Sequence, residues 1–558
     1  MNSTYQSDSN NIAEALIAQS KEQPNGVALI LPQRQKGSLE WKDQRFSYAE
    51  LNQLADQLAF GLIQQGIQPG TRVALMVPPS LEFFARFFAL FKAGCVPVLI
   101  DPGIGLKPLK ACLGEAQPEV FIGIVRAQLA RMVLGWARKS IRTTITVGRR
   151  PLWRGLRYSD VLQAGQTAGS VKLPEVGPDD SAAILFTSGS TGIPKGVVYR
   201  HRHFSAQIEL VRDTYDIEPG EIDLPTFPPF ALFDPALGMT TVVPPMDFTR
   251  PARVDPAMLV SLIERYKVTN LFGSPALMNT LTRHLEQQDI RLPGLKRALS
   301  AGAPVSPIVV ERIHAAIRQT ADIHTPYGAT ECLPLATIAG RELVGQLSDA
   351  NRAGKGICVG RPLAANSIRI IEISDAAIET LESTQTVEPE QIGEICVFGP
   401  TVTDSYWQRE EQTRLAKMTD AEGNIWHRMG DLGWMDGQGR IWFCGRKSER
   451  VQTAAGVLFT ECIEGRVNSV AGVYRSALVG VGGPGRQQPV VVVEPEPGVD
   501  GQDVRESLKS AVLHKLAESS KTKQIQTVLL HQGLPVDIRH NAKIRRSQLA
   551  VWAEKKLN

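Results

Sequence analysis

The chain has 558 residues, 43% of them hydrophobic and 21% charged, with a formal net charge of +4. That length exceeds what one hydrophobic core organises, so two or more domains are expected. The composition is that of a soluble globular protein, and so small a net charge gives no general case for nucleic-acid binding.

Seven cysteines (Cys95, Cys112, Cys332, Cys358, Cys396, Cys444 and Cys462) are scattered, with no Cys-x-x-Cys pair and no zinc-type spacing. They predict buried thiols, a reducing compartment and no structural disulfides. Residues 1–11 are polar and lack an apolar signal core, so export is not expected and the location is expected to be cytoplasmic. The most apolar stretch, residues 73–100, is interrupted by Pro78, Pro79, Glu82, Arg86 and Lys92. A membrane span needs about 20 largely uncharged residues, so this is not one.

In chain order, residues 12–20 have helical apolar spacing, and residues 27–31 and 45–47 read as strands around a turn. Ser47 and Glu50 form a capping-box pattern that opens a helix to about residue 64. Residues 71–77 and 96–100 read as strands, flanking an apolar helix over 81–93 crowded with Phe83, Phe84, Phe87, Phe88 and Phe91. That helix is expected to be buried between layers; the sharper alternative is a surface facing an acyl chain or a membrane. Strands alternating with helices predict an α/β fold with largely parallel sheet.

Residues 120–159 contain no Asp or Glu but include Arg126, Arg131, Arg138, Lys139, Arg142, Arg149, Arg150, Arg154 and Arg157. A solvated face balanced by acids elsewhere and a docking surface for anionic lipid or an acidic partner both fit this pattern.

A strand candidate at 182–186 runs into Thr187, Ser188, Gly189, Ser190, Thr191, Gly192, Ile193, Pro194, Lys195 and Gly196. Glycines let the backbone approach a ligand closely, consecutive N–H groups form an anion-binding concavity, and Lys195 supplies a point charge. The string lacks the spacing of a Walker A loop, and a flexible Gly/Ser/Thr surface loop is the alternative.

Residues 226–245, rich in proline and aromatics, can wall an apolar pocket. A strand at 298–300 ends in the small-residue turn Ala301, Gly302, Ala303 and Pro304. Because ligands bind outside the carboxyl ends of strands in open α/β sheets, this turn and the phosphate loop are expected at one edge. Tyr327, Gly328, Ala329, Thr330 and Glu331 then offer a flat ring, small residues and a hard oxygen ligand suited to Mg²⁺. Asp431, after a strand at 393–397, reads as a turn or helix-cap residue, or as a partner for ribose hydroxyls. A boundary is placed between residues 445 and 446, giving a domain over 1–445 and a smaller one over 446–558. Near the end, Arg539, His540, Asn541, Ala542 and Lys543 form an exposed basic loop or carry a mobile lysine that neutralises charge on transferring oxygens.

Taken together, the phosphate loop, residues 300–304, Tyr327 to Glu331, Gly430 with Asp431, Gly445 with Arg446, and Lys543 resemble the acyl-adenylate-forming superfamily over nearly the whole chain. The resemblance implies a large N-terminal α/β domain with several sheets and a small, mobile C-terminal α+β lid. It implies ATP and Mg²⁺, with Thr187, Ser188, Gly189, Ser190, Thr191, Gly192 and Lys195 at the phosphates. Ala301, Gly302, Ala303, Tyr327 and Gly328 would line adenine, Thr330 would lie near phosphate, Glu331 would hold magnesium, and Asp431 and Arg446 would hold ribose. Lys543 would bridge the substrate carboxylate and α-phosphate.

Residues 230–238, Ile100 to Gly103 and Arg539 to Lys543 resemble the olefin-biosynthesis β-lactone synthetases. That resemblance implies adenylation of a hydrophobic 2-alkyl-3-hydroxy fatty acid, whose own 3-hydroxyl then displaces AMP, with His203, Phe230, Phe233 and Asp234 at the substrate pocket. It extends to a peripheral membrane contact or a complex with other olefin-pathway enzymes. The hinge position, commonly acidic in the superfamily, is Ser448, and the usual terminal lysine signature is altered. The rival functions are a long-chain acyl-CoA or acyl-AMP ligase, an amino-acid adenylation domain that would use Asp234 for the substrate amine, and an inactive nucleotide-binding scaffold. His201, His203 and His324 are the nearby candidates for a base.

Overall fold

A computed structural model describes residues 11–34, 41–148, 153–169, 171–187, 194–499, 501–536 and 543–558. Among them the strands form two seven-stranded sheets, an eight-stranded sheet, and small sheets of three and two strands. The α/β expectation holds: within each seven-stranded sheet every pairing is parallel except the one at a single edge.

One parallel sheet is centred on Arg72–Met76, Val96–Leu99 and Val120–Ile124 and ends in the antiparallel pair Ser181–Phe186 and Gly196–Arg200. Alternating side chains put Leu75 and Leu99 into the core on one face and Met76 and Ile100 into the core on the other. The helix Leu81–Lys92 packs on the first face, capped by Ser80, whose Oγ accepts from Phe83 N. The other parallel sheet carries Ile222–Pro225, Asn270–Gly273, Arg297–Ser300 and Asp322–His324. The capping box is present: Glu50 N donates to Ser47 Oγ at 3.2 Å and Ser47 N donates to Glu50 Oε2 at 2.8 Å, opening the helix Tyr48–Gln64.

The phosphate-loop strand and the Ser300 turn therefore belong to different sheets, not to one edge. The two parallel sheets present their carboxyl ends to a common space, and the antiparallel third sheet adds Tyr327–Ala329, Ile425–Met435 and Ile441–Arg446. Asp431 lies within the strand Ile425–Met435, paired with Arg446, rather than in a turn or cap.

The C-terminal part is built on Val473–Val481, Gln488–Pro495 and Thr527–Leu530, with helices Thr460–Val467, Gln502–Ala517 and Arg546–Leu557 and cores of its own. All seven cysteines are free. Among the described residues no helix is long and apolar enough to cross a membrane.

Candidate active site

A single cavity of about 1480 Å³ lies where the three large sheets and the C-terminal part meet. Its polar end takes side chains from each. Thr187 and Lys195 close the hairpin between Ser181–Phe186 and Gly196–Arg200: Thr187 N donates to Lys195 O at 3.0 Å, and Lys195 N donates to Thr187 Oγ1 at 3.1 Å. This fixes the stem of the phosphate loop. Ser188, Gly189, Ser190, Thr191 and Gly192 lie outside the described residues. The Lys195 ammonium sits 4.4 Å from the Tyr406 ring centre, and burial lowers its pKa against the opposing pull of Glu331.

Ala301, Gly302 and Ala303 line the same space from the end of Arg297–Ser300. Gly302 has φ of +96°, a conformation that favours glycine. Tyr327, Gly328, Thr330 and Glu331 also line it. A Cβ on Gly328 would stand 2.5 Å from Cys332 O, so only glycine lets the Tyr327–Ala329 and Cys332–Thr337 strands approach this closely. Tyr327 donates its hydroxyl to Asp431 Oδ2 at 2.6 Å, and Arg446 Nη1 lies 2.7 Å from Asp431 Oδ1. That Oδ1 is buried and accepts no hydrogen bond of proper geometry, so it keeps acceptor capacity for a ligand hydroxyl. Burial pushes the Asp431 carboxyl up, against the pull of Arg446.

Glu331 is buried, and its Oε1 accepts from Tyr406 at 2.6 Å. Its carbonyl accepts from Thr403 N at 2.9 Å and Thr403 Oγ1 at 3.1 Å, which fixes the carboxylate's position. From the C-terminal part, Lys543 lines the cavity beside Arg546. Arg546 pairs with Glu449 at 2.8 Å and Glu464 at 2.7 Å, so the start of the last helix is tied to the segment just after Arg446.

The other end of the cavity is apolar. Phe83, Phe87, Phe88 and Phe91 line it from the helix Leu81–Lys92, so that helix is both buried between layers and turned toward the void. Phe204, Phe230 and Phe233 complete this wall. The aromatic packing is mutual: Phe87 and Phe91 meet edge to face at 4.7 Å, and Phe230 stacks on Phe272 at 4.1 Å.

Two expected pocket residues are not among those lining the cavity. His203 is fully buried; its Nδ1 accepts from Arg200 N at 3.0 Å, its Nε2 lies 3.8 Å from Asp404, and burial lowers its pKa. Asp234 accepts from Thr241 Oγ1 at 3.0 Å beside Asp223, in the layer under the wall. The helix His201–Tyr215 turns the His203 side chain into the core, which a linear motif does not reveal. His201 and His324 do not line the cavity either. Tyr406, His427 and Gln207 do line it, and sequence reasoning missed them. His427 stands three residues before the Gly430 and Asp431 pair that the sequence singles out, whereas Tyr406 and Gln207 carry no local pattern and are brought in by folding alone.

The family model described as "AMP-binding enzyme" matches residues 16–407. The chain belongs to the AMP-binding enzyme family. Within this family, an olefin beta-lactone synthetase of Xanthomonas campestris pv. campestris is 51% identical over 548 residues, covering 97% of each chain. An olefin beta-lactone synthetase of Stenotrophomonas maltophilia is 49% identical over 553 residues, covering 98% of each. The fold is that of ATP-bound MatB from Rhodopseudomonas palustris, matched with a TM-score of 0.77 over 99% of this chain and 100% of that one at 22% identity. An AMP-binding enzyme that joins a small C-terminal domain to a large N-terminal one accounts for a cavity lined by both.

Proposed function

We propose that this chain is an AMP-forming β-lactone synthetase acting on a 2-alkyl-3-hydroxy fatty acid. One observation carries the reading: one continuous cavity runs from a polar end, with Asp431, Arg446, Glu331 and Lys195, to a phenylalanine-lined end. The two full-length relatives named olefin beta-lactone synthetase favour this subgroup over acyl-CoA ligases and over an inactive scaffold. The absence of Asp234 from the cavity wall removes the carboxylate that an amino-acid substrate would need.

In this reading Asp431 and Arg446 hold ribose, Tyr327 and residues 301–303 take adenine, and Thr187, residues 188–192, Thr330 and Lys195 take the phosphates. Glu331 would hold Mg²⁺. That ion commonly uses one or two carboxylates together with phosphate oxygens, so a single buried carboxylate fits; bound, it would neutralise phosphate charge. Among the described residues no cluster of three or more ligating side chains exists. Lys543 and Lys195 bring positive charge to the meeting point of carboxylate and α-phosphate.

A carboxylate is a poor acyl donor because oxide is a poor leaving group. A carboxylate oxygen attacks the α-phosphorus, and pyrophosphate leaves. The 3-hydroxyl oxygen then bonds to the acyl carbon, the bond to AMP breaks, and the hydroxyl proton passes to the departing phosphate. An internal nucleophile needs no second substrate, and most of the catalysis is positioning and charge neutralisation.

We place the junction between the large domain and the lid at residues 445 and 446, and the enzyme in the cytoplasm, in keeping with its free cysteines. Peripheral contact with an anionic membrane is supported by exposed Leu129, Met132 and Val133 on the helix Val125–Leu134, within the arginine-rich stretch. Co-sedimentation with anionic vesicles at low salt checks it; arginine-to-glutamine variants that bind equally well would remove it. The function is tested by mass spectrometry of products from 3-hydroxy acids with ATP, with and without coenzyme A. Lactone and AMP in the absence of coenzyme A support the reading, and a thioester formed only in its presence reverses it.

A further inference from the structure

The apolar end of the cavity is walled from both faces of one sheet. Phe87, Phe91, Phe204 and Phe233 belong to or pack on the core against one face of the sheet built on Arg72–Met76. Ile100, Leu109, Ala127 and Trp136 belong to or pack on the separate core against the opposite face. The void reaches both by passing the carboxyl ends of the strands, where Leu75 and Met76, and Leu99 and Ile100, point to opposite faces and all line it. A single unbranched chain needs one such arm. An acid carrying two alkyl chains on adjacent carbons needs two.

Each arm holds a buried polar atom without a hydrogen-bond partner, an acceptor, Gln207 Oε1, in the phenylalanine arm and a donor, Trp136 Nε1, in the other. Gln207, from the helix His201–Tyr215, lies beside Phe204 and lines the cavity at 4% exposure. Its Nε2 donates to Leu333 O at 2.7 Å, an oxygen that can only accept, so the amide orientation is fixed. Its Oε1 is buried with no hydrogen-bond partner. Nε2 also lies 3.5 Å from Tyr199 Oη, which donates to Thr330 O at 2.6 Å, so Gln207 stands at the junction of the apolar and polar ends. An unsatisfied buried acceptor carries a cost that a ligand hydroxyl removes.

We propose that the acyl site is forked. The chain bearing the 3-hydroxyl lies along the phenylalanine arm, with that hydroxyl donating to Gln207 Oε1, and the 2-alkyl chain turns around the strand ends into the arm walled by Leu109, Ala127 and Trp136. This rests on the β-lactone reading and adds to it which chain goes where. Gln207 is a positioning residue: it orients the nucleophilic oxygen and takes no proton from it.

The test measures ATP-dependent pyrophosphate release with 2-alkyl-3-hydroxy acids in which each chain is shortened separately, and records lactone yield alongside. Ala127→Phe is expected to lower kcat/KM about tenfold for long 2-alkyl chains and to spare short ones, while Phe233→Trp does so for the other chain. The milder Ala127→Leu serves if melting shows that Ala127→Phe is unfolded. Wild-type enzyme should prefer a 3-hydroxy acid to its 3-deoxy analogue by about tenfold, the effect of one hydrogen bond. Gln207→Leu should abolish that preference. If both filling variants curtail the same chain or neither chain, or if Gln207→Leu keeps the preference, the fork is overturned. Pyrophosphate release with no lactone from any acid would instead overturn the functional reading while leaving the fork tested.

Discussion

The two ends of the cavity are specified by different physics. At the polar end each side chain is held by a named partner: Tyr327 and Arg446 on Asp431, Tyr406 on Glu331, Thr187 on Lys195. At the apolar end the rings of Phe83, Phe87, Phe91, Phe204 and Phe233 hold one another by edge and tilted contacts, with no directional bond among them. The polar end therefore depends on individual atoms and should fail abruptly, whereas the apolar end depends on volume and should respond in graded fashion.

The largest effects are expected from Lys543→Ala and Glu331→Ala. Each should lower pyrophosphate release by about 10²–10³-fold, the cost of losing one group aimed at developing charge. Assay of both with ATP and a hydroxy acid checks this, and near-normal turnover in both would erase the contrast between the ends. Asp431→Asn should come next, raising the KM for ATP by roughly 10–100-fold with a smaller change in kcat, since a charge-assisted hydrogen bond contributes about 1.5–3 kcal/mol. Tyr406→Phe removes one hydrogen bond to Glu331 but keeps the ring under Lys195; a loss of about tenfold or less sharpens the comparison by separating bond from ring.

The smallest effect lies outside the cavity and concerns stability. Burial raises the carboxyl pKa values of Asp234 and its neighbour Asp223. The folded chain thus keeps protons that the unfolded chain releases above about pH 4. Stability is fully present below that pH and is lost as pH rises toward the raised folded values. Asp234→Asn removes one of the two acids, so the fall in melting temperature between mildly acidic and mildly alkaline buffer should shrink, by about 1 °C for each kcal/mol recovered. An unchanged fall would contradict the buried pair.

Legibility followed the same division. The strands, the Ser47 capping box and the order of the polar strings could be read because glycine, capping and charge act locally. The sheet membership could not: the phosphate-loop strand and the Ser300 turn look alike in sequence yet end different sheets. The run of phenylalanines signalled burial but not its second role, because period alone does not show which neighbour is missing across a helix face. His203 and Asp234 sat in the right strings and on the wrong side of the wall. Tyr406 and Gln207 had no signal, because each acquires its partner across more than 70 residues of chain: Glu331 is 75 positions from Tyr406, and Leu333 is 126 from Gln207.

The central claim is that the carboxylate, not the hydroxyl, is the group adenylated. A hydroxy acid labelled with oxygen-18 in both carboxyl oxygens, turned over with ATP, tests it directly by mass spectrometry of AMP and lactone. The account predicts one labelled oxygen in AMP and one retained in the lactone. Unlabelled AMP with a lactone that keeps both labels would mean that the hydroxyl was activated instead, and would contradict it.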